Sequence, residues 1–293
     1  MMNTSKENYK SSIKLIECPR DAMQGLHDFV PTALKAAYIN LLLQVGFDTV
    51  DFGSFVSPKA IPQMRDTEEV LGNLDLSATK TKLLAIVANL RGVTDAVQHQ
   101  PIDYLGFPFS ISETFQQRNT NTSIAQSLHT VEEMLTLCGK HQKTAVVYLS
   151  MGFGNPYGDE WNIEILEKWA DELVSRGVKI LSLSDTTGIA TPEQIKSILP
   201  VLVNKYPQAE IGLHLHSTPA DRLAKIEAAY AAGCIRFDSA LKGYGGCPMA
   251  TDDLTGNMAT EEVISFLENK GENLGLDLAK WQEAMLFSGK IFS

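Results

Sequence analysis

Along the chain, short apolar runs alternate with longer stretches in which apolar residues recur near every 3.6 positions, the rhythm of strand followed by helix. Residues 13–17 make the first strand-like run. Residues 31–45 follow as an amphipathic helix, with Leu34, Ala37, Tyr38, Leu41 and Leu42 near one period and Gly46 placed as a glycine cap. Residues 47–52 read as the second strand, and a helix is predicted over 62–72. Strands three and four fall at 82–87 and 104–109, followed by helices at 92–98 and 123–139. A fifth strand at 143–149 leads through a loop rich in Gly, Asn and Pro to a helix over 160–176, ended by Gly177. The sixth strand, 178–183, precedes a helix over 192–204 with Thr191 as N-cap and Pro192 at its first position. The seventh begins at 209 and runs into Gly212-Leu213-His214-Leu215-His216, with a helix over 220–232 behind it. Residues 235–239 form the eighth strand, and helices at 260–270 and 278–287 close the chain.

Eight strand-then-helix units in 293 residues match the count and size of a (β/α)8 TIM barrel, an α/β fold, here with extra C-terminal helices. A doubly wound open sheet is the weaker alternative, because no glycine-rich fingerprint follows the first strand. No composition shift or linker marks a second domain, so residues 13–293 read as one domain behind a polar extension, 1–12.

The net charge of -10 argues against a nucleic-acid surface, which needs clustered Lys and Arg, but leaves room for a local basic patch on a phosphate-bearing ligand. No apolar run approaches a membrane span, and the polar first dozen residues carry no secretory core. The four cysteines, Cys18, Cys138, Cys234 and Cys247, form no CxxC pair and are too sparse for a disulfide scaffold. A cytoplasmic protein with no nucleic-acid or membrane partner is expected.

In such a barrel the loops after the strands build the active site. His214 and His216 point the same way from one strand end and can grip one metal ion, which then needs further ligands. Arg20 and Asp21 follow strand one, Asp51 ends strand two, Asp185 and Thr186 follow strand six, and Cys247 and Asn257 lie beyond strand eight. Closure brings strands eight and one beside seven, so Asp21, His214, His216 and Asn257 can converge as a mixed nitrogen and oxygen site. Mg2+ or Mn2+ suits the oxygens, and Mn2+ or Zn2+ tolerates the imidazoles; spacing does not choose among them. Taken singly, Asp21 and Asp185 read as turn caps, Asn257 as a turn residue and Cys247 as a small buried hydrophobe. Their common placement on one face is what favours chemistry. His27, His99, His129 and His141 read as solvated, and Cys18, Cys138 and Cys234 as packing residues.

Glu17-Cys18-Pro19-Arg20-Asp21-Ala22-Met23-Gln24 resembles the strand-one motif of the 3-hydroxy-3-methylglutaryl-CoA lyase family, within the wider metal-dependent acyl-CoA lyase and Claisen-synthase group. Ser54-Phe55-Val56-Ser57-Pro58-Lys59 with Pro62-Gln63-Met64 is similar to its second-strand loop. Ser112-Glu113-Thr114-Phe115, Ser182-Leu183-Ser184-Asp185-Thr186, His214-Leu215-His216, Gly245-Gly246-Cys247-Pro248 and Gly256-Asn257-Met258 continue the resemblance in family order. It implies a retro-Claisen cleavage of 3-hydroxy-3-methylglutaryl-CoA to acetyl-CoA and acetoacetate, with a divalent cation on Asp21, His214, His216 and Asn257. It further implies that His214 or Asp21 takes the hydroxyl proton, that Arg20 stabilises the enolate, and that Cys247 on a mobile glycine loop protonates carbon. Glu17, Gln24, Asp51, Ser182 and Asp185 become supporting or substrate contacts. An acyl-CoA substrate, a homodimer and a place in leucine breakdown are implied in the same way.

The resemblance breaks at a few positions. The family usually carries His-Asp-Thr-Tyr-Gly where this chain has His216-Ser217-Thr218-Pro219-Ala220, a Glu where it has Asp51, and a Gly where it has Ala22. The stretch from Cys247 to Asn257 is one residue longer. These changes bear on which 3-hydroxyacyl-CoA is accepted. A forward Claisen synthase of the isopropylmalate or homocitrate type is the second reading, disfavoured because such enzymes carry further regions after the barrel. A silent acyl-CoA-binding barrel is the third, and it would have no need of these polar residues.

Overall fold

Strand β1 (Lys14–Glu17) leads into a short helix α1 (Pro19–Gln24) and then α2 (Thr32–Val45) in a computed structural model that describes residues 12–246 and 255–292. β2 (Thr49–Ser54) is followed by a 3-10 turn (Pro62–Met64) and α3 (Thr67–Gly72), and β3 (Lys82–Ile86) by α4 (Leu90–Ala96). β4 (Ile102–Ser110) precedes α5 (Glu113–Thr120) and α6 (Ile124–Lys140), and β5 (Thr144–Ser150) precedes α7 (Ile163–Ser175). β6 (Ile180–Asp185) and α8 (Pro192–Lys205), then β7 (Glu210–Leu215) and α9 (Arg222–Ala231), continue the rhythm. β8 (Arg236–Ser239) is followed by a 3-10 turn (Leu241–Gly243), α10 (Thr260–Asn269), α11 (Leu278–Phe287) and a last 3-10 turn (Ser288–Lys290). The strands pair in chain order and close into one eight-stranded parallel barrel. Closure sets Lys14 opposite Arg236 and Ile16 opposite Asp238.

The period of two divides every strand between two environments. Outward residues such as Leu105, Phe107, Leu181, Leu183, Leu213 and Leu215 join the main core beneath the helices. Inward residues Leu84, Tyr104, Val146, Tyr148 and Ile180 form a separate apolar cluster inside the barrel. Across from it the interior is polar: Arg236 lies 5.9 Å from the Tyr104 ring, and the His214 ring meets Tyr148 edge-on at 5.6 Å. Inward Ser182, His214, Asp238 and Asp51 carry this polar side around the closure from β6 through β7 and β8 to β2.

Capping chemistry matches the sequence at several ends. Gly46 takes the left-handed conformation (φ 92°) that ends α2, and Thr191 caps α8 in a reciprocal box with Gln194, with Pro192 in its first turn. Three features differ from the periodicity. α1 and α5 were hidden: α1 has six residues, too few for a 3.6 period to register, and α5 is polar on nearly all sides but is started by Ser112, whose hydroxyl accepts from the Phe115 N–H at 3.1 Å. The helix expected over 62–72 is broken after Met64, where Thr67 donates its hydroxyl to the Met64 carbonyl at 2.8 Å and accepts from the Ser54 N–H at 3.0 Å. Strand β2 runs on to Ser54 through a register shift between Asp51 and Gly53, so Asp51 lies within the strand rather than at its end.

Candidate active site

Helix α1 turns immediately off the top of β1, because Pro19 is tolerated at a helix start, and this turn sets Arg20 and Asp21 over the barrel mouth. Arg20 is buried, 7 % exposed, and four of its five N–H groups are engaged. Nε and Nη2 donate to both oxygens of Asp51 at 2.5–3.2 Å, and Nη1 donates to Asp21 at 2.7 Å and to Gln24 Oε1 at 3.0 Å. Gln24 donates in turn to Asp21 Oδ1 at 2.7 Å. The other oxygen of Asp21 accepts from Asn257 Nδ2 at 2.7 Å, and the same amide holds the Tyr244 carbonyl at 2.8 Å.

The two histidines of β7 complete the cluster. His214 Nδ1 faces Asp238 Oδ2 at 3.3 Å, and His216 Nδ1 faces the Thr186 carbonyl at 3.0 Å. Their rings are 5.3 Å apart. His216 pairs with Asn257 in an isolated antiparallel bridge, which ties the segment beyond β8 to the end of β7. Asp21, His214 and His216 each offer one ligand atom within 4.8 Å of the others, and all three are buried. His216 Nε2 is a buried nitrogen with no partner among the described residues. A buried ring nitrogen left bare beside a carboxylate and a second imidazole fits a divalent cation in both chemistry and spacing.

The electrostatics follow from burial and neighbours. Burial alone would raise the Asp21 carboxyl, but the Arg20 charge, the two imidazoles and the Asn257 amide outweigh it and hold the group at about 2. Burial lifts Asp51 to about 6 even against Arg20. Burial, reinforced by the neighbouring His214, pushes His216 down to about 4, so at neutral pH its ring has a lone pair to give. Burial opposes charge on His214 too, but the hydrogen bond and charge of Asp238 prevail and raise it.

The cavity over this cluster opens at the C-terminal ends of the strands, the face where barrel active sites lie. Arg20, Asp21, Gln24, His214, His216 and Thr186 line it, with Ser54, Val56, Ile61 and Phe115 on the opposite wall. Ser54, Val56 and Ile61 belong to the Ser54–Met64 segment, which Gln63 anchors by accepting from the Val30 N–H at 2.9 Å and donating to the Asp28 carbonyl at 2.8 Å.

Of the expected supporting or substrate contacts, only Gln24 lines the cavity. Glu17 points outward from β1, accepting from the Leu241 N–H at 2.8 Å and the Thr260 hydroxyl at 2.5 Å. Asp185 also points outward, to the Lys225 ammonium at 3.1 Å. Asp51 sits behind Arg20, and Ser182 lies deep in the barrel, 3.5 Å from Asp238. Alternation explains it: Glu17 and Asp185 fall on the outward phase of their strands. The departures at Ser217 and Pro219 also lie off the cavity, and Ser217 accepts from Arg222 Nε at 3.0 Å and donates to the Asn257 carbonyl at 3.3 Å. Cys247 lies outside the described residues. The strand-to-loop turn leading to it packs on α1, since a Cβ at Gly245 (φ 93°) would lie 2.5 Å from the Asp21 carbonyl oxygen. Asp238 joins the site unannounced by any strand-end motif, its one signal in the sequence being a carboxylate alternating with Arg236 within a strand, the mark of an inward polar pair. Cys18, expected as a packing residue, has its sulfur close to His214 and Asp238. Cys18, Cys138 and Cys234 are free thiols.

Comparison with known proteins places this geometry. The HMGL-like family model matches residues 13–286. The chain belongs to the HMGL-like family. A relative named hydroxymethylglutaryl-CoA lyase YngG, from Bacillus subtilis, is 35% identical over 272 residues, covering 90% of each chain. The cytoplasmic 3-hydroxy-3-methylglutaryl-CoA lyase of Rattus norvegicus is 34% identical over 274 residues, 93% of this chain and 79% of the relative. An HMG-CoA lyase of Acinetobacter baumannii, solved with coenzyme A and 3-methylmalate, superposes with a TM-score of 0.86 at 32% identity, over 95% of this chain and 91% of that one. Within the HMGL-like family, the barrel is thus common ground with proteins that carry a lyase name. Among the described residues no helix is long and apolar enough to cross a membrane.

Proposed function

We propose that the chain is a metal-dependent carbon–carbon lyase that cleaves 3-hydroxy-3-methylglutaryl-CoA to acetyl-CoA and acetoacetate. The observation that carries this reading is the buried donor group Asp21, His214 and His216 set beside Arg20 in the mouth of an HMGL-like barrel. Asp21, His214, His216 and Asn257 would hold the cation. When bound, it supplies a Lewis acid that acidifies the tertiary hydroxyl and polarises the forming ketone. The mixed donor set suits Mg2+ or Mn2+, with Zn2+ as the third candidate.

The chain's own residues divide the remaining work. His214 or Asp21 takes the hydroxyl proton. The carbon–carbon bond breaks, its electron pair becoming an enolate on the acetyl thioester. Arg20, fixed by Asp51 and Asp21 and always charged, presents a rigid positive group to that enolate at no reorganisation cost. Cys247 returns a proton to carbon. Gln24 steadies the Asp21 carboxylate against Arg20. A homodimer is part of this reading: Leu286 on α11 is 83% exposed, whereas Phe287 is committed to a stack with Tyr38. Relatives carry both cytoplasmic and mitochondrial names, and free thiols suit either reducing compartment; a cytoplasmic location is part of this reading. The place in leucine breakdown follows the substrate.

The test is an assay of acetoacetate and acetyl-CoA formed from 3-hydroxy-3-methylglutaryl-CoA with Mg2+ or Mn2+, and again with chelator. Both products, formed only with metal, are expected. A metal-loaded sample that yields neither moves the substrate to another 3-hydroxyacyl-CoA or to the synthase direction.

A further inference from the structure

Asp238 lies on β8 inside the barrel, 3% exposed, directly behind His214. Its Oδ2 meets His214 Nδ1 at 3.3 Å. Arg236, two residues earlier on the same inward face, brings Nε to 3.8 Å from Asp238 Oδ1. Arg236 is itself held by Glu210 at 3.1 Å, at the far end of β7. A row of alternating charges, Glu210, Arg236 and Asp238, therefore runs up the barrel interior and ends on the imidazole. None of the three lines the cavity, and none has a part in the proton transfers above. A carboxylate this deep is costly unless charge and hydrogen bonds hold it, and Arg236 supplies the charge.

We propose that Asp238 is a positioning residue that fixes the tautomer and ring plane of His214. A neutral imidazole has one proton for two nitrogens, and the nitrogen that binds a metal must be the bare one. With Nδ1–H donated to Asp238, Nε2 is left bare for the cation shared with Asp21 and His216, and of the two candidates for taking the hydroxyl proton Asp21 is then the one left. His216 is oriented by a neutral carbonyl, that of Thr186, so the two rings are held by partners of different strength. His214, backed by a carboxylate, is the stronger donor of the two. Cys18, His214 and Asp238 also bring ligand atoms within 4.8 Å of one another, but a second cation there would face the Arg236 guanidinium across Asp238. This inference rests on the metal reading given above.

The test uses nitrogen NMR of the imidazole rings in isotope-labelled, metal-free protein, together with Mn2+ titration calorimetry. Once the pH is high enough for the wild-type His214 ring to be neutral, its single proton is expected on Nδ1. Asp238→Asn keeps the size but lets an amide N–H point at Nδ1, so the proton moves toward Nε2. The dissociation constant for Mn2+ then rises roughly 10- to 100-fold. A wild-type His214 with its proton on Nε2, or an Asp238→Asn protein that binds Mn2+ as tightly as wild type, overturns the proposal. So does a Cys18→Ser variant that loses as much affinity as Asp238→Asn, since Asp238 would then belong to a ligand set with Cys18. A wild type that binds neither Mg2+ nor Mn2+ removes the metal reading, while its tautomer still decides the role of Asp238. That measurement needs no variant, so it holds even where Asp238→Asn fails to fold.

Discussion

Arg20 and Asp21 are neighbours in sequence with opposite tasks. The guanidinium is held by Asp51, Asp21 and Gln24, so its position is fixed before any substrate arrives. The Asp21 carboxylate, held at about 2, is ionised at any working pH and stays a donor. Neither can give up a proton to carbon at neutral pH, which leaves that step to another group. Cys247→Ala is expected to lower turnover roughly 10²- to 10⁴-fold, the usual loss for a general acid, while leaving Mn2+ affinity as in wild type. Steady-state acetoacetate formation and calorimetry check the two halves. A fully active Cys247→Ala protein would remove the thiol from the mechanism.

At the scale of elements, Glu17 shows how the barrel seam is closed. It points outward from β1 and accepts from the Leu241 N–H and the Thr260 hydroxyl, joining the first strand to the turn after β8 and to α10. Burial raises its carboxyl from 4.5 to about 8, although both hydrogen bonds work to lower it. Between those two values the folded chain holds a proton that the unfolded chain has released. Stability is therefore greatest below the unfolded value and is lost as pH rises through about 8, by up to a few kcal/mol. Glu17→Gln keeps an acceptor for Leu241 and can donate to Thr260, so it is expected to flatten this slope. Denaturant unfolding from about pH 5 to about pH 9 measures it. A variant with the wild-type slope would show that Glu17 is ionised throughout.

At the scale of the molecule, the candidate cation site straddles the closure of the barrel. Asp21 comes from the start of the chain, the histidines from β7, and Asn257 from the segment beyond β8, more than 200 residues from Asp21 (|i−j|=236). An ion bound there links three parts of the chain that are otherwise joined by hydrogen bonds, and it binds only the folded state. Mn2+ at about 100 times its dissociation constant should add about 2.7 kcal/mol of stability. Thermal unfolding with and without Mn2+ is expected to show this gain in the wild type and its loss in Asp21→Ala. An equal gain in both would place the ion elsewhere.

The alternation of apolar runs with amphipathic stretches was enough to read eight strands, the helices between them and the barrel, because periodicity is a local consequence of which face each residue buries. The residue types at the strand ends were enough to single out Arg20, Asp21, His214, His216 and Asn257, since barrel closure places those ends together. Phase within a strand was not legible. A slip of one residue moves a side chain from cavity to core, and on that phase Glu17 and Asp185 went outward while Asp238 went inward to His214. The helices α1 and α5 and the break after Met64 also belonged to tertiary structure, because each is set by a cap or a distant hydrogen bond rather than by a repeating apolar face. Sequence by itself determined the architecture and the inventory of reactive groups. Only the closed barrel decided which of them face the cavity, which stand behind it, and which charge holds each in place.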